Sequence, residues 1–257
     1  MVWGCGSDDN DEAPSTPTDY VTTQVEQAPE WNIDWSANDT APDWQEPDPS
    51  NYETWAIMMP QLESPLAQYA SDDDLMAVFI KDELRGLSHP AKTMQKVEDD
   101  KVFFLIKVYG NEIDGSMLNL TIKYYCAQLH QLFSLSGENE LEPEQVYGVD
   151  EDFLLDMTIG STKYPINSTV KVTFNYNEKS DLTPSVEDIV AIFVGDECRA
   201  AYPLYNIPSS SWITAYGRED GEKATVRYYS VNQKRIYTFN QPLTITDEKI
   251  EEYTLNF

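Results

Sequence analysis

From Tyr52 to the C-terminus, apolar residues come in runs of five to eight, rich in β-branched and aromatic side chains and divided by polar turns. No stretch sustains a helical period. The runs predict strands near 54–60, 75–80, 83–87, 102–109, 118–125, 129–135 and 153–157. A second set follows near 168–175, 188–194, 197–202, 211–216, 223–229, 233–239 and 251–256. Within Ala77-Val-Phe-Ile80 and Ala191-Ile-Phe-Val194 nearly every residue is apolar, as expected of a strand covered on both faces.

The two sets are copies of one unit. Asp74-Leu-Met-Ala-Val-Phe-Ile-Lys-Asp-Glu-Leu-Arg85 matches Asp188-Ile-Val-Ala-Ile-Phe-Val-Gly-Asp-Glu-Cys-Arg199, and Thr121-Ile-Lys-Tyr-Tyr125 matches Thr225-Val-Arg-Tyr-Tyr229. A Tyr-Gly step precedes the second pair in both copies, at Tyr109-Gly110 and Tyr216-Gly217. Such a repeat fixes the architecture before any residue is assigned a role. About seven short strands per hundred residues with regular turn signals predict an all-β chain. The expected architecture is two tandem immunoglobulin-like antiparallel β-sandwich domains, repeat 1 over 51–158 and repeat 2 over 159–257. Neither copy has the Cys and Trp core spacing of an antibody domain, so the expectation rests on strand count and spacing.

Turn and pairing chemistry recurs too. Lys81-Asp82 and Gly195-Asp196 supply hairpin turns, and Gly115 and Gly221 end equivalent loops with a residue suited to a left-handed backbone. Glu83 with Arg85, and Glu197 with Arg199, fall on one face of a strand, which predicts a lateral ion pair of well under about 1 kcal/mol if exposed. In the aromatic strands, one tyrosine of each pair, Tyr124 or Tyr125 and Tyr228 or Tyr229, should face the core. Alternating with Lys123 and Arg227, these tyrosines form a candidate surface for sugar or peptide.

Residues 5–50 lack this periodicity. They are rich in Asp, Glu, Pro, Thr and Ser, a composition that predicts a disordered, extended acidic tether. Trp31, Trp35 and Trp44 interrupt it, and an indole suits either packing over a sheet edge or stacking on a sugar ring. The chain of 257 residues carries a formal charge of −28, with no Lys or Arg before Lys81. That field repels phosphate backbones and anionic headgroups, so nucleic acid is excluded as an expected partner. The odd cysteine count, at positions 5, 126 and 198, with no pair recurring between the units, predicts isolated thiols at Cys126 and Cys198.

Val2-Trp3-Gly4-Cys5, followed by Gly6-Ser-Asp-Asp-Asn-Asp-Glu12, resembles the end of a bacterial lipoprotein signal and the acidic export signal of Bacteroidetes surface lipoproteins. That resemblance implies that 1–4 is a signal-peptide remnant and that Cys5 is lipidated, although the basic start and apolar region of a signal are missing. No apolar run could span a bilayer, so membrane attachment is expected only through lipid at Cys5. Ala191 to Arg199, Tyr216-Gly217 and Gly221-Glu222-Lys223 resemble a tandem β-sandwich module of Bacteroidetes surface proteins. It implies an outer-membrane location facing the exterior and no particular reaction.

Candidate chemistry is sparse. Asp72-Asp73-Asp74 could offer oxygens to calcium, but repeat 2 has Val186-Glu187-Asp188 there and no EF-hand spacing occurs; no metal or cofactor is expected. The two histidines, His89 and His130, fall in no catalytic motif. The expectation is a non-catalytic surface lipoprotein that serves adhesion or binds a glycan, peptide or surface protein. The competing class is a structural subunit of a cell-surface assembly.

Overall fold

The structure is a computed structural model that describes residues 19–63, 66–90, 102–149, 153–176, 182–206, 209–247 and 249–257. Cys5 and the tether before residue 19 lie outside the described residues. Among the described residues are nineteen strands: β1 (Tyr20–Gln24), β2 (Thr54–Met58), β3 (Gln61–Leu62), β4 (Leu75–Ile80), β5 (Glu83–Ser88), β6 (Val102–Phe103), β7 (Ile106–Gly110), β8 (Met117–Cys126), β9 (Gln131–Glu140), β10 (Val146–Tyr147), β11 (Leu154–Leu155), β12 (Ile166–Asn175), β13 (Ile189–Val194), β14 (Glu197–Pro203), β15 (Ser210–Gly217), β16 (Glu222–Ser230), β17 (Arg235–Phe239), β18 (Leu243–Ile245) and β19 (Ile250–Asn256). The fold is all-β.

Each repeat is a sandwich. In repeat 2, one sheet runs β1-β17-β16-β13-β14 and the other β15-β12-β19, with β12 parallel to β19. In repeat 1 the corresponding sheets are β5-β4-β8-β9 and β10-β2-β7, with a small sheet β11-β3-β6 beside them. The architecture is that of β-sandwiches, and in repeat 2 the two hairpins β13–β14 and β16–β17 share one sheet. Both sheets feed a common core, in repeat 2 through Val170, Val172, Phe174, Ile213 and Leu255 from one side and Val190, Ile192, Val226, Tyr228 and Tyr237 from the other. A separate core gathers Ala56, Met76, Val78, Phe104, Ile106, Val108, Ile122 and Phe133 in repeat 1.

The turns follow the residues that occupy them. Lys81 and Asp82 both have positive φ (51° and 65°), the two-residue turn whose twist matches a hairpin, whereas in repeat 2 Gly195 (61°) supplies the left-handed residue. His130 and Lys234, aligned in the repeat, adopt φ of 47° and 49° at the end of the β8–β9 and β16–β17 turns. His130 is thus explained by a backbone position. One close approach admits only glycine: a Cβ on Gly160 would lie 1.6 Å from the carbonyl oxygen of Ser134 in β9. It is there that the linker between the repeats lies against repeat 1.

Two buried polar devices are duplicated. Asp74 and Asp188 are fully buried, and each binds its own repeat together. Asp74 accepts from the Tyr124 hydroxyl (2.7 Å), the amide of Ala127 (2.9 Å) and both the amide and hydroxyl of Ser71 (3.1 and 2.8 Å). Asp188 accepts from the Tyr228 hydroxyl and from the amides of Val231 and Ser185 (each 2.8 Å). These carboxylates are saturated by protein donors, which accounts for the one acid the calcium-like triplet shares with repeat 2.

The second device corrects the expected exposed ion pair. Arg85 and Arg199 are 5% and 2% exposed, and each is gripped by two glutamates rather than one. Arg199 meets Glu197 (3.2 Å), Glu222 (3.1 Å) and the carbonyl of Tyr216 (3.1 Å); Arg85 meets Glu83 (3.1 Å), Glu112 (3.1 Å) and the carbonyl of Tyr109 (3.3 Å). A tyrosine completes each, with Tyr52 and Tyr164 lying under the guanidinium and donating to Glu83 and Glu197 (both 2.7 Å). A buried arginine needs this many acceptors, because an unpaired buried charge costs several kcal/mol.

The tether is corrected as well: its described part, residues 19–50, is held against both sandwiches. β1 adds antiparallel to the edge of β17, pairing Tyr20 with Phe239 and Gln24 with Arg235. Farther on, the amides of Ala37 and Asp39 donate to the carbonyls of Leu129 and His130 (both 2.8 Å). This segment is a strap, crossing repeat 2 first and repeat 1 second.

Candidate functional site: the groove under the strap

The strap is itself a repeat. Ala28-Pro29-Glu30-Trp31 is followed by Ala41-Pro42-Asp43-Trp44, and Asp34-Trp35-Ser36 by Asp48-Pro49-Ser50. Asp34 accepts from the amide of Ser36 and Asp48 from that of Ser50 (3.0 and 2.9 Å), so both copies make the same small turn.

The two indoles dock on equivalent places. Trp31 meets Phe193 edge-on at 5.6 Å, and Trp44 meets Phe79 edge-on at 5.8 Å. The Arg227 guanidinium sits 4.1 Å from the Phe193 centroid and the Lys123 ammonium 4.7 Å from that of Phe79. Each phenyl on the outer face of a sheet is therefore sheltered by one indole and one cation, worth of order 1 kcal/mol per contact. The first strap copy serves the second sandwich and the second copy the first.

Between them, Trp35 enters the junction of the repeats and is 3% exposed. Its ring meets Tyr216 at 4.9 Å, Tyr164 at 5.6 Å and Phe133 of repeat 1 at 6.4 Å. The Tyr216 hydroxyl bonds Thr158 (2.8 Å), joining β15 to the linker. Asp39 fastens the strap to both sides, accepting from the amide of Leu132 (2.7 Å) and the hydroxyl of Thr162 (2.6 Å).

A groove of about 340 Å³ opens beside Trp35. Its walls come from three parts of the chain: Trp31 and Ile33 of the strap, Gln68 and Tyr69 of repeat 1, and Ile189 and Pro203 of repeat 2. Glu30 and Asn32 add polar groups at the strap side. Aromatic and aliphatic walls with a few polar groups between packed units suit a small or extended ligand.

Several sequence-predicted binding residues are not available there. Tyr124 and Tyr228 face the cores and are fully buried; Tyr125 and Tyr229 are 4% and 3% exposed. Alternation does turn Tyr229 outward, but Trp31 lies against it at 6.4 Å. The tyrosines are therefore corrected from a surface to packing residues. Trp35 is likewise a junction residue, and Trp44 packs on Phe79. Of the predicted set, the groove retains Trp31 and a flank of Trp35. Gln68, Tyr69, Ile189 and Pro203 were missed, because only the tertiary fold brings them together. The doubled Ala-Pro-acid-Trp string was the available signal that the segment docks. Cys126 and Cys198 are free and buried, and burial raises both thiol pKa values, Cys198 to about 11, so neither is a nucleophile at neutral pH.

The electrostatics of the junction are those of a clamp. Burial would raise the carboxyl of Asp34, but hydrogen bonds from Ser36 and Lys163 outweigh it and hold the group at about 2. Burial likewise opposes ionisation of Glu197 and Glu112, and the Tyr164 hydroxyl with Arg199 for the one, and Arg85 for the other, hold both below their ordinary 4.5. A depressed folded-state pKa contributes stability that is complete above the unfolded value and disappears as pH falls through the folded one. Between pH 5 and pH 3 the native protein should therefore lose more melting temperature than a Glu112→Gln, Glu197→Gln variant. Equal losses in thermal scans would show that these glutamates do not carry the acid sensitivity.

Among the described residues no group of three or more His, Cys, Asp or Glu side chains is placed to hold a metal ion. No helix among them is long and apolar enough to cross a membrane. In comparison with known proteins, the chain matches no family model and no curated sequence.

Proposed function

We propose that this chain is a non-catalytic, surface-displayed binding protein, anchored by lipid at Cys5 to a bacterial outer membrane and serving adhesion or capture of a glycan or peptide. The observation that supports the binding role is the groove, whose walls are drawn from the strap and both repeats and hold Trp31, Tyr69 and Gln68 around one opening. A strap that only covered sheet faces would need Trp31 and Trp44; placing Ile33 and Asn32 along a cleft adds a recognition surface. The Bacteroidetes-like N-terminal string supports the location. Glycan arrays and pull-downs with the full chain test the binding role. A bound ligand should be lost on Asn32→Arg, which fills the groove from an exposed position. Binding unaffected by that change would remove the groove from the proposal, and no ligand above background would remove the binding role. Acyl mass on Cys5 in the native protein tests the anchor.

A structural subunit of a surface assembly is the second reading. It draws on Leu105, Val146 and Val149 of repeat 1, which are 51%, 47% and 58% exposed. Sedimentation of the native chain distinguishes it: concentration-dependent oligomers that disappear on Val146→Glu would favour assembly over ligand capture.

A further inference from the structure

A second surface lies away from the groove, on the outer face of β15-β12-β19. Strand register sets its side chains in rows. Trp212, Lys171 and Glu252 form the central row; Thr214, Thr169 and Ile250 lie on one side, and Ser210, Thr173 and Thr254 on the other. Trp212 is 54% exposed, while Trp31, Trp35, Trp44 and Trp55 are all half-buried or buried. In a chain whose strap shelters aromatic faces, this indole is left open. The Lys171 ammonium sits 5.9 Å from its ring centroid and 3.6 Å from the Glu252 carboxylate, so the row continues from an apolar plate into a donor and an acceptor.

We propose that this face binds a neutral glycan, with a pyranose ring stacked on Trp212 and its hydroxyls bonded by Lys171, Glu252 and the flanking threonines. The inference rests on the reading of the chain as a binding protein and places a contact outside the groove. Three features single out this ligand class. The central row spans two interstrand spacings, about 10 Å, room for two pyranose rings end to end. Hydroxyl side chains on both flanks donate and accept, as sugar hydroxyls do. The centre of a protein–protein interface is depleted of charge, whereas this row centres on an ion pair. The chain's charge of −28 selects against uronate-rich or sulfated polymers.

Native gels cast with hydroxyethylcellulose, laminarin or mannan, and with polygalacturonate as the polyanion, test the proposal on the full chain. At least one neutral polymer should retard the protein, and Trp212→Ala should weaken that retardation on the order of tenfold. Trp212→Ala should melt like the native protein, since the ring packs on the surface. Retardation lost in Asn32→Arg but kept in Trp212→Ala would overturn the Trp212 platform and leave the groove as the site. Retardation by polygalacturonate alone, or by none of the polymers, would overturn the platform without bearing on a peptide ligand in the groove.

Discussion

Trp35→Ala should cost about 3–5 kcal/mol of stability, the usual range for truncating a buried tryptophan, and should free the strap from the repeats. The ring is 3% exposed and touches Tyr164 and Tyr216 of repeat 2 and Phe133 of repeat 1, so its loss leaves a cavity where strap and both sandwiches meet. The other anchors between β1 and residue 50 include the Val25, Ala37 and Asp39 backbone bonds, the Asp39 carboxylate, the Asp34–Lys163 contact (2.9 Å), the bond from the Tyr164 hydroxyl to the Asp34 carbonyl (3.0 Å) and the two outer indoles, each of them smaller than the buried Trp35 ring contact. Denaturant titration should show the loss of stability, and limited proteolysis should show cleavage within 26–50 well before the sandwiches are cut. Trp44→Ala, at a half-buried position against a single phenyl, should cost much less. Equal effects from the two substitutions would mean that Trp35 does not organise the junction.

Much of this fold was legible because strands announce themselves by local pattern. Of the fourteen segments expected, the runs at 75–80, 83–87, 118–125, 188–194, 197–202, 211–216, 223–229 and 251–256 agree with β4, β5, β8, β13, β14, β15, β16 and β19 to within one residue at either end. The duplicated strings carried the equivalence of the repeats into three dimensions, down to the paired left-handed residues His130 and Lys234. What was not legible depends on distant partners. β1 has four exposed residues in five and no apolar alternation of its own; it is a strand because β17 offers an edge. Arg85 and Arg199 read as surface ion pairs because Glu112 and Glu222, which help bury them, come from other parts of the chain. Composition likewise misjudged residues 19–50. An acidic, proline-rich stretch cannot form a core alone, but it can lend one indole to a core that exists already and two to the outer faces of sheets.

The same logic separates the two repeats energetically, through the buried aspartates. Asp188→Ala should destabilise repeat 2 by roughly 3–5 kcal/mol, since each buried donor left unpaired costs about 1–3 kcal/mol and three lose their acceptor. Those donors are the Tyr228 hydroxyl and the amides of Val231 and Ser185, which tie β16 and the turn after it to the segment before β13. Burial first, and then the Asp188 carboxylate, raise the Tyr228 hydroxyl far above its ordinary value, so it stays a donor at any working pH. Asp188→Asn keeps the shape and one acceptor oxygen and should cost less. Tyr228→Phe removes a donor along with the need for its acceptor, so the double variant Asp188→Ala, Tyr228→Phe should be more stable than the sum of the single losses predicts. Hydrogen exchange locates the effect. Amides of β13, β16 and β17 should lose protection in Asp188→Ala while those of β4, β8 and β9 keep theirs, and Asp74→Ala should give the converse pattern, because each carboxylate is bonded within its own repeat. Uniform loss of protection across both repeats in either variant would mean that the Trp35 junction couples the sandwiches into one cooperative unit.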